Sequence, residues 1–270
     1  MEGESGIGAL TPFAIPTIRE AWLGAIFGPF DEVARAAAAP LVDELHWLRQ
    51  AKGRFFLWLA KRFSTDLYRD IQVRHLRRHA IGRDPNRLKY LDTPLWAGGK
   101  FDHAVRLGLH KSPPLRVLDL GAGPGHFQLV AEYFGHQTLG LDVSFAAASA
   151  IGGRHLYDDL CAFFGVRKID HRVTSGVPLP RFDHRFDLVT AFMVCFSSPS
   201  SAAPRWTRED WRYFLADIRD HVLTDTGKVY LNLTPGAFDE ASWDFLRGLA
   251  EQVIEVSRTL TIDRAALMAL

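Results

Sequence analysis

The sequence predicts an α/β fold, a doubly wound and mostly parallel sheet preceded by helices. From Arg116 onward, short apolar runs alternate with helical stretches, a pattern typical of a parallel sheet with helices on both faces. A turn with three glycines, residues 121–125, follows the first apolar run. The chain before residue 100 is rich in Ala, Leu, Arg and aromatic residues without strand-like alternation, which favours helices.

The elements can be placed in order along the chain. Strands are expected at Arg116–Leu120, Thr138–Leu141, Lys168–Val173, Leu188–Met193 and Lys228–Leu233. Helices are expected at Phe101–Leu109, Phe127–Phe134, Phe145–Phe164, Glu209–Val222 and Trp243–Leu249. Thr207 and Asp210 form a capping-box start, and Gly227 is expected to turn the chain into its strand. Pro40 is expected to separate two N-terminal helices, and the chain after residue 249 has room for one or two short strands.

Composition indicates a soluble globular protein. The 270 residues suffice for one large domain, or one domain with an appendage, and 47% are hydrophobic with a net charge of +1. Cys161 and Cys195 are too few for a disulfide framework or a closed zinc site, so we expect no metal and a reducing cytoplasm. Neither a signal peptide nor a membrane span is expected.

Charge is distributed unevenly along the chain. The segment His46–Tyr90 contains twelve Lys and Arg residues against three acidic ones. Such a segment is either a solvated surface or a site for an anionic partner, such as RNA, a phospholipid surface or a phosphorylated substrate.

The glycine turn in "DLGAGPG" predicts a site for a nucleotide cofactor. Ligands of doubly wound sheets bind at the carboxyl ends of the strands, and glycine allows the backbone to approach them closely. A dinucleotide site would have the pattern G-x-G-x-x-G, but Gly121, Gly123 and Gly125 place the third glycine one position too early. Asp119 would also repel a diphosphate, whereas its carboxylate suits a ligand with an ammonium group.

This motif resembles motif I of the class I S-adenosylmethionine-dependent methyltransferases. The second strand ends in "LGLDVS", where the Asp142 carboxylate, about 20 residues further on, is placed to accept hydrogen bonds from ribose hydroxyls. "RFDLVTAFMVCF" and "LTDTGKVYLNL" are similar to the fourth and fifth strands of that family, so the resemblance covers roughly Leu115 to Leu233. It implies a Rossmann-like sheet of the seven-stranded type, S-adenosylmethionine as cofactor and S-adenosylhomocysteine as product.

The resemblance also assigns site residues. Asp119 would face the methionyl amine, and Phe192 and Met193 would line the adenosine and methyl-transfer pocket. The expected cofactor-binding residues are Asp119, Gly121, Ala122, Gly123, Gly125, Asp142, Val143, Thr174, Phe192 and Met193. The expected substrate-binding residues are Tyr90, Trp96, Cys195, Phe196 and Asn232. Tyr90 and His126 are the candidates for a catalytic role. In-line methyl transfer needs a base only when the acceptor is protonated, so the reaction does not depend on finding one.

We expect residues 1–100 to form a helical extension or lid and residues 101–270 to form the methyltransferase domain. The expected pocket walls are apolar and aromatic, which favours a small organic acceptor. The alternative is an RNA or protein methyltransferase whose basic N-terminal helices hold a polyanion, and a non-enzymatic cofactor-binding subunit is a third hypothesis. A monomer or a homodimer is expected.

Overall fold

The structure, a computed structural model, describes residues 32–79, 88–143, 155–194, 205–234 and 238–270. For residues 32–42, 77–79 and 194 it describes the backbone alone. The chain divides into two compact units, Met1–Trp58 and Leu59–Leu270. In the described ranges, no helix combines the length and the apolar character needed to cross a membrane.

The described helices and strands follow one another in the order expected of an α/β chain. The helices are α1 (Glu32–Arg62), α2 (Thr65–His79), α3 (Thr93–Arg106), α4 (His126–Tyr133), α5 (Leu156–Phe164), α6 (Arg208–Asp217), α7 (Glu240–Leu249) and α8 (Arg264–Leu267). The strands are β1 (Arg116–Leu120), β2 (Gln137–Asp142), β3 (Lys168–Asp170), β4 (Phe186–Val194), β5 (Leu223–Leu233), β6 (Gln252–Ile254) and β7 (Thr259–Asp263). A short 3₁₀ turn, Lys89–Leu91, precedes α3.

The seven strands form one sheet in the order β3-β2-β1-β4-β5-β7-β6. Strands β1 to β5 pair in parallel, whereas β7 is antiparallel to both β5 and β6. The strand order therefore reverses between β1 and β4, and the carboxyl ends of these two strands lie side by side. The predicted doubly wound, mostly parallel sheet is confirmed, and ligands of such sheets bind at this reversal.

Alternate residues of the central strands face opposite sides of the sheet. Leu118 and Val189 are paired in register and lie in the large apolar core that also contains Trp211 and Trp243 of α6 and α7. On the other face, Asp119 is paired with Thr190, and this face is covered by α3 and α4. Asp119, which is predicted to bind the cofactor, thus lies on the face opposite the largest core.

Several boundaries differ from the prediction. Helix α1 continues through Pro40, because the preceding run of alanines has the highest helix propensity and sustains the helix although Pro40 has no N–H to donate. Strand β5 begins at Leu223, so Gly227 lies inside it, next to a register shift opposite β4, instead of turning into it. Strand β3 ends at Asp170, before the predicted Val173.

The other predicted features are placed as follows. Thr207 and Asp210 form the expected capping box at the start of α6, which passes into one turn of π-helix at Ile218–Val222. Two strands follow α7, although no glycine or proline separates them, because Arg258 takes the left-handed conformation with φ 46°. The first part of the predicted helix Phe145–Phe164 lies outside the described residues up to residue 154.

Candidate active site

The turn after β1 has a backbone that only glycine adopts readily. Gly121, Gly123 and Gly125 have φ values of 64°, 56° and 84°, all in the left-handed region. At Gly125 a Cβ atom would lie 2.5 Å from Cγ2 of Val166, so glycine is required there by packing as well. A Cβ at Gly123 would meet nothing closer than 3.9 Å, so the backbone of the turn is open on that side.

Hydrogen bonds fix this turn against the end of β2. The N–H groups of Gly121 and Ala122 both donate to the carbonyl oxygen of Leu141, at 2.8 and 3.1 Å. These two amides are therefore used inside the protein, and the turn presents its glycine Cα atoms, not these N–H groups, to a ligand.

Asp142, at the carboxyl end of β2, faces the same turn. One of its carboxylate oxygens accepts from the N–H of Gly123 at 2.5 Å and the other from the N–H of Val143 at 2.7 Å. Burial raises the pKa of this carboxyl, and the two backbone hydrogen bonds oppose the increase. A carboxylate can accept about four hydrogen bonds, so acceptor sites remain for ribose hydroxyls.

Asp119, inside β1, is buried beneath the turn. Its Oδ1 accepts from the hydroxyl of Thr190 on β4 at 2.7 Å. Burial raises the pKa of Asp119, and the nearby Lys100 ammonium and the Thr190 hydroxyl act against this increase. A buried carboxylate with so few donors is expected to attract a cationic group.

Phe192 and Met193, at the end of β4, have different surroundings. The Phe192 ring is buried, with its centroid 4.5 Å from that of Phe127. Met193 has φ 52° and lies at a register shift between β4 and β5, and 52% of its surface is exposed. Phe192 is therefore part of the wall beside Asp119, whereas the side chain of Met193 is half-exposed at the strained end of β4.

An aromatic cluster borders the glycine turn. The ring of Tyr90 lies 4.7 Å from that of Trp96 and 5.4 Å from that of Tyr157. Tyr157 in turn is the side chain nearest the position of a Gly123 Cβ. The cluster thus places the sequence-predicted Tyr90 and Trp96 beside the turn.

His126, the first residue of α4, is buried next to this cluster. Its ring stacks near Tyr90 at 6.4 Å, and its Nε2 atom has no hydrogen-bond partner among the described residues. Burial and the charge of Lys100 lower the pKa of His126 to about 3. The imidazole is therefore neutral at physiological pH and is a poor general base.

The remaining predicted site residues have other surroundings. Thr174 is exposed in the segment after β3, where its hydroxyl donates to the carbonyl of Arg172. The buried Asn232 amide donates to the carbonyl oxygen of Ser257 and to the hydroxyl of Thr259, so its N–H groups anchor the turn between β6 and β7. Contact of Thr174 or Asn232 with a ligand stays a prediction. Cys195 and Phe196 lie outside the described residues.

Sequence reasoning missed three side chains at this site, Lys100, Tyr157 and Cys161. The Sγ of Cys161 is 3.6 Å from the carbonyl oxygen of Gly123, and burial raises the pKa of this thiol to about 11, so it stays protonated. Tyr157 and Cys161 follow a helix start that the sequence does not mark clearly. Lys100 follows two glycines, and its placement above β1 depends on how α3 packs on the sheet.

The chemistry of these residues fits S-adenosylmethionine. The Asp119 carboxylate suits the methionyl ammonium, Asp142 suits a ribose diol, and the space above Gly123 lets the backbone approach a ligand. A pyrophosphate would instead need free backbone N–H groups at the turn, and those of Gly121 and Ala122 are already bound. Fold and site together define a class I S-adenosylmethionine-dependent methyltransferase.

Comparison with known proteins agrees with this class. A family model described as a methyltransferase domain matches residues 74–229, more than half of the chain, and the chain therefore belongs to this family. S-adenosylmethionine is the cofactor of this class. No curated protein matches the chain significantly.

Several solved methyltransferase structures are similar to the chain. An amino pentose methyltransferase of calicheamicin biosynthesis from Micromonospora echinaspora, bound to S-adenosylmethionine, shares 21% identity over 60% of this chain and 56% of its own, with a TM-score of 0.37. A TehB-like S-adenosylmethionine-dependent methyltransferase from Corynebacterium glutamicum shares 18% identity over 73% of this chain and 97% of its own, with a TM-score of 0.40. The chain spans about half the length of the first of these relatives.

Proposed function

We propose that this protein transfers the methyl group of S-adenosylmethionine to a small organic acceptor. The observation that carries the proposal is the aromatic cluster of Tyr90, Trp96 and Tyr157 directly beside the open glycine turn. Apolar and aromatic walls are typical of pockets for small molecules, which they desolvate and orient. We take the described residues of these walls as the acceptor side of the site.

Two carboxylates would hold the cofactor in this arrangement. Asp119 would bind the methionyl ammonium and Asp142 the ribose hydroxyls. Gly123 leaves space for the part of the cofactor that joins these two groups. When bound, S-adenosylmethionine would supply a methyl group on a positively charged sulfur, and the acceptor would take that methyl group by attack in line with the carbon–sulfur bond. The protein's contribution is then to hold the two reactants at the correct distance and angle and to exclude water.

The predicted lid is partly supported by contacts of α2. His75 Nε2 and Arg74 Nη1 both lie 2.8 Å from the Oδ2 atom of buried Asp159 on α5, the helix that also carries Tyr157. This ion pair attaches α2 next to the aromatic cluster. We propose that helix α2 and the described residues that precede and begin α3, 88–96, cover the acceptor, as part of the expected extension 1–100.

Two histidines near the site, His103 and His126, are not suited to remove a proton. Burial lowers the pKa of His103 to about 4, with smaller contributions from Lys100 and Arg106, and that of His126 to about 3. A base with so low a pKa removes few protons from an amine or a phenol. These two histidines would therefore suit only an acceptor that is already deprotonated or reacts through a free lone pair.

Substitution of Asp142 tests the cofactor part of the proposal. Asp142→Ala should weaken S-adenosylhomocysteine binding by about 10- to 100-fold, because it removes the charge-assisted hydrogen bonds expected with the ribose. The control is Asp170→Ala, which removes a carboxylate paired in register with Asp142 on β3 but exposed. Calorimetry that finds the two variants equal to the wild type would place the ribose elsewhere.

A labelling experiment tests the acceptor part. The protein is incubated with methyl-labelled S-adenosylmethionine and a cell extract divided into low-molecular-weight and macromolecular fractions. Label in the small-molecule fraction supports the proposal, whereas label in RNA or protein that declines steeply as salt rises supports the polyanion alternative.

Charge reversal on the basic helices tests the polyanion alternative, but the position of the reversed charge has to be chosen with care. Arg74 binds Asp159, so reversing its charge would also disrupt the attachment of α2. The side chains of Arg77 and Arg78 lie outside the described residues. Exposed Arg69 on α2 is a better position for charge reversal.

A further inference from the structure

One face of α3 carries basic residues over a polar row of the sheet. Lys100, His103 and Arg106 are spaced three residues apart, so they lie on one side of the helix. Beneath them, Asp119 pairs in register with Thr190 on β4, and Thr190 pairs with Tyr230 on β5. Neighbours in register share a face of the sheet, so the three side chains form a polar row.

Two of the three basic residues have partners in this row. His103 Nδ1 lies 2.7 Å from the Tyr230 hydroxyl, and the side chain of Arg106 also hydrogen-bonds Tyr230. Lys100 differs from both. Its ammonium lies 3.7 Å from the centroid of the Phe192 ring, and no oxygen of a described residue accepts a hydrogen bond from it.

An aromatic ring does not replace the acceptors that an ammonium needs. A lysine ammonium has three N–H donors, and desolvating them without oxygen partners is costly. Burial lowers the pKa of Lys100, and the charge of Asp119 opposes this change. The two charges are thus close enough to affect each other, but no ion-pair contact joins them within the described residues.

Within the part of the chain that the structure describes, Asp119 is the anion that acts on Lys100. The charged and titratable groups that act on Lys100 or feel its charge are Asp119 on β1, His103 on its own helix and His126 on α4. Both histidines are neutral, because burial and the charge of Lys100 lower their pKa values. Asp119 is the residue that we assign to the methionyl ammonium, so cofactor binding would leave Lys100 without a counter-charge.

We infer that Lys100 is the binding residue for a carboxylate in the active site, either the α-carboxylate of the cofactor or an acidic group of the acceptor. Lys100 and Asp119, whose charges affect each other, then present opposite charges to the ligand, and a ligand with a carboxylate neutralises the lysine. This inference rests on the proposed function, because it takes Asp119 as the partner of the cofactor's amine.

A binding experiment with two pairs of ligands tests the inference. The first pair is S-adenosylhomocysteine and its analogue that lacks the α-carboxylate but keeps the amine. The second pair, measured with S-adenosylhomocysteine bound, is benzoate and its neutral isostere benzamide. We expect the wild-type protein to prefer the carboxylate by about 10-fold or more in at least one pair, as for a charge-assisted hydrogen bond.

The variant Lys100→Met removes the charge and should abolish that preference. Loss of preference in the first pair assigns the cofactor's carboxylate, and loss in the second assigns an acidic acceptor. Lys100→Arg should keep the preference, and Lys111→Met, at an exposed lysine beyond the end of α3, should leave it unchanged. Thermal unfolding of each variant checks that the fold is kept, which we expect because Lys100→Met removes a partly buried charge.

Two results would overturn the inference. A wild-type protein without a preference in either pair has no carboxylate site, and a preference that survives in Lys100→Met places that site elsewhere. Failure of the wild-type protein to bind either adenosyl compound would contradict the proposed function and this inference together, and is therefore distinguishable from a failure of the inference alone.

Discussion

The two halves of the active site edge are built in different ways. At the ends of β1 and β2, positive φ angles occur at Gly121, Gly123 and Gly125, and neighbouring backbone amides hold the turn in place. At the end of β4, a positive φ occurs at Met193, a residue with a long side chain, and a register shift with β5 accompanies it. One half uses residues suited to their conformation, and the other holds a residue in an unfavourable one.

This difference shows how function and local strain are related here. The glycine turn must lie close to its ligand, so its three positive-φ positions carry no side chains and little strain. A strained residue at an active site persists only where the surrounding structure holds it and its side chain is useful. We therefore expect the β1–β2 half to serve the cofactor and Met193 to contact the acceptor.

The largest effect is expected at Gly125. Gly125→Ala should lower the free energy of unfolding by about 3 kcal/mol, because the left-handed φ is unfavourable for alanine and the new methyl group contacts Val166. Gly123→Ala has a similar φ but no close contact, so it should cost only about 1 kcal/mol of stability. Urea unfolding of both variants measures the difference.

A double variant separates strain from packing at this position. Adding Val166→Ala to Gly125→Ala should recover part of the loss, since it removes the Cγ2 atom 2.5 Å from the new Cβ. Equal losses in the two glycine variants, with no recovery, would mean that the turn tolerates the contact with Val166.

Much of the fold follows from the sequence because its signals are local. Strand β1 is found at the predicted residues 116–120, and the Thr207–Asp210 capping box forms as expected, since both depend on neighbouring residues. The predicted start of β5 was wrong by five residues. Pairing between Leu223 and Phe186 on β4 extends the strand to the N-terminal side of Gly227. The predicted break between two helices at Pro40 was wrong, because the neighbouring residues, and not the proline alone, decide whether a helix continues.

The same reasoning explains which site residues could be found. Asp119 stands within the glycine pattern, and Asp142 ends the next predicted strand, about 20 residues further on, so the sequence identifies both as candidates. Lys100 reaches the site only because α3 crosses the sheet above β1, and no pattern near residue 100 indicates this. Asn232 appears available at the end of β5, but the return of β7 beside it occupies its N–H groups.

A change in pH is expected to have an intermediate effect on the free energy of unfolding, through His126 in the glycine-turn half of the site. The pKa of His126 is about 3 in the folded protein, against about 6.5 in the unfolded chain, so only the unfolded state binds the proton between these values. Stability should therefore decrease as pH falls through 6.5, and by about 1 kcal/mol between pH 6.5 and 5.5 for this residue. His126→Phe should reduce the decrease by that amount in urea unfolding at the two pH values.

His184 provides the control for this measurement. His184→Phe makes the same substitution at an exposed position, so it reports what replacing a histidine by phenylalanine does outside the buried site. If His126→Phe and the wild-type protein lost equal stability over this range, the imidazole of His126 would have to take up a proton in the folded state.

The smallest effect is expected at Met193, where it tests the other half of the comparison. Met193→Gly should raise the free energy of unfolding by up to about 1 kcal/mol, because glycine adopts φ 52° without the penalty that methionine has. Arg258→Gly is the matched control, since Arg258 has φ 46° but its guanidinium lies 4.7 Å from the centroid of the Trp243 ring. That variant should lose the contact with the Trp243 ring. Its free energy of unfolding should therefore rise less than that of Met193→Gly, or fall. Thermal unfolding compares the two, and a loss of stability in Met193→Gly would show that the methionine side chain stabilises the fold and is not held in strain for contact with the acceptor.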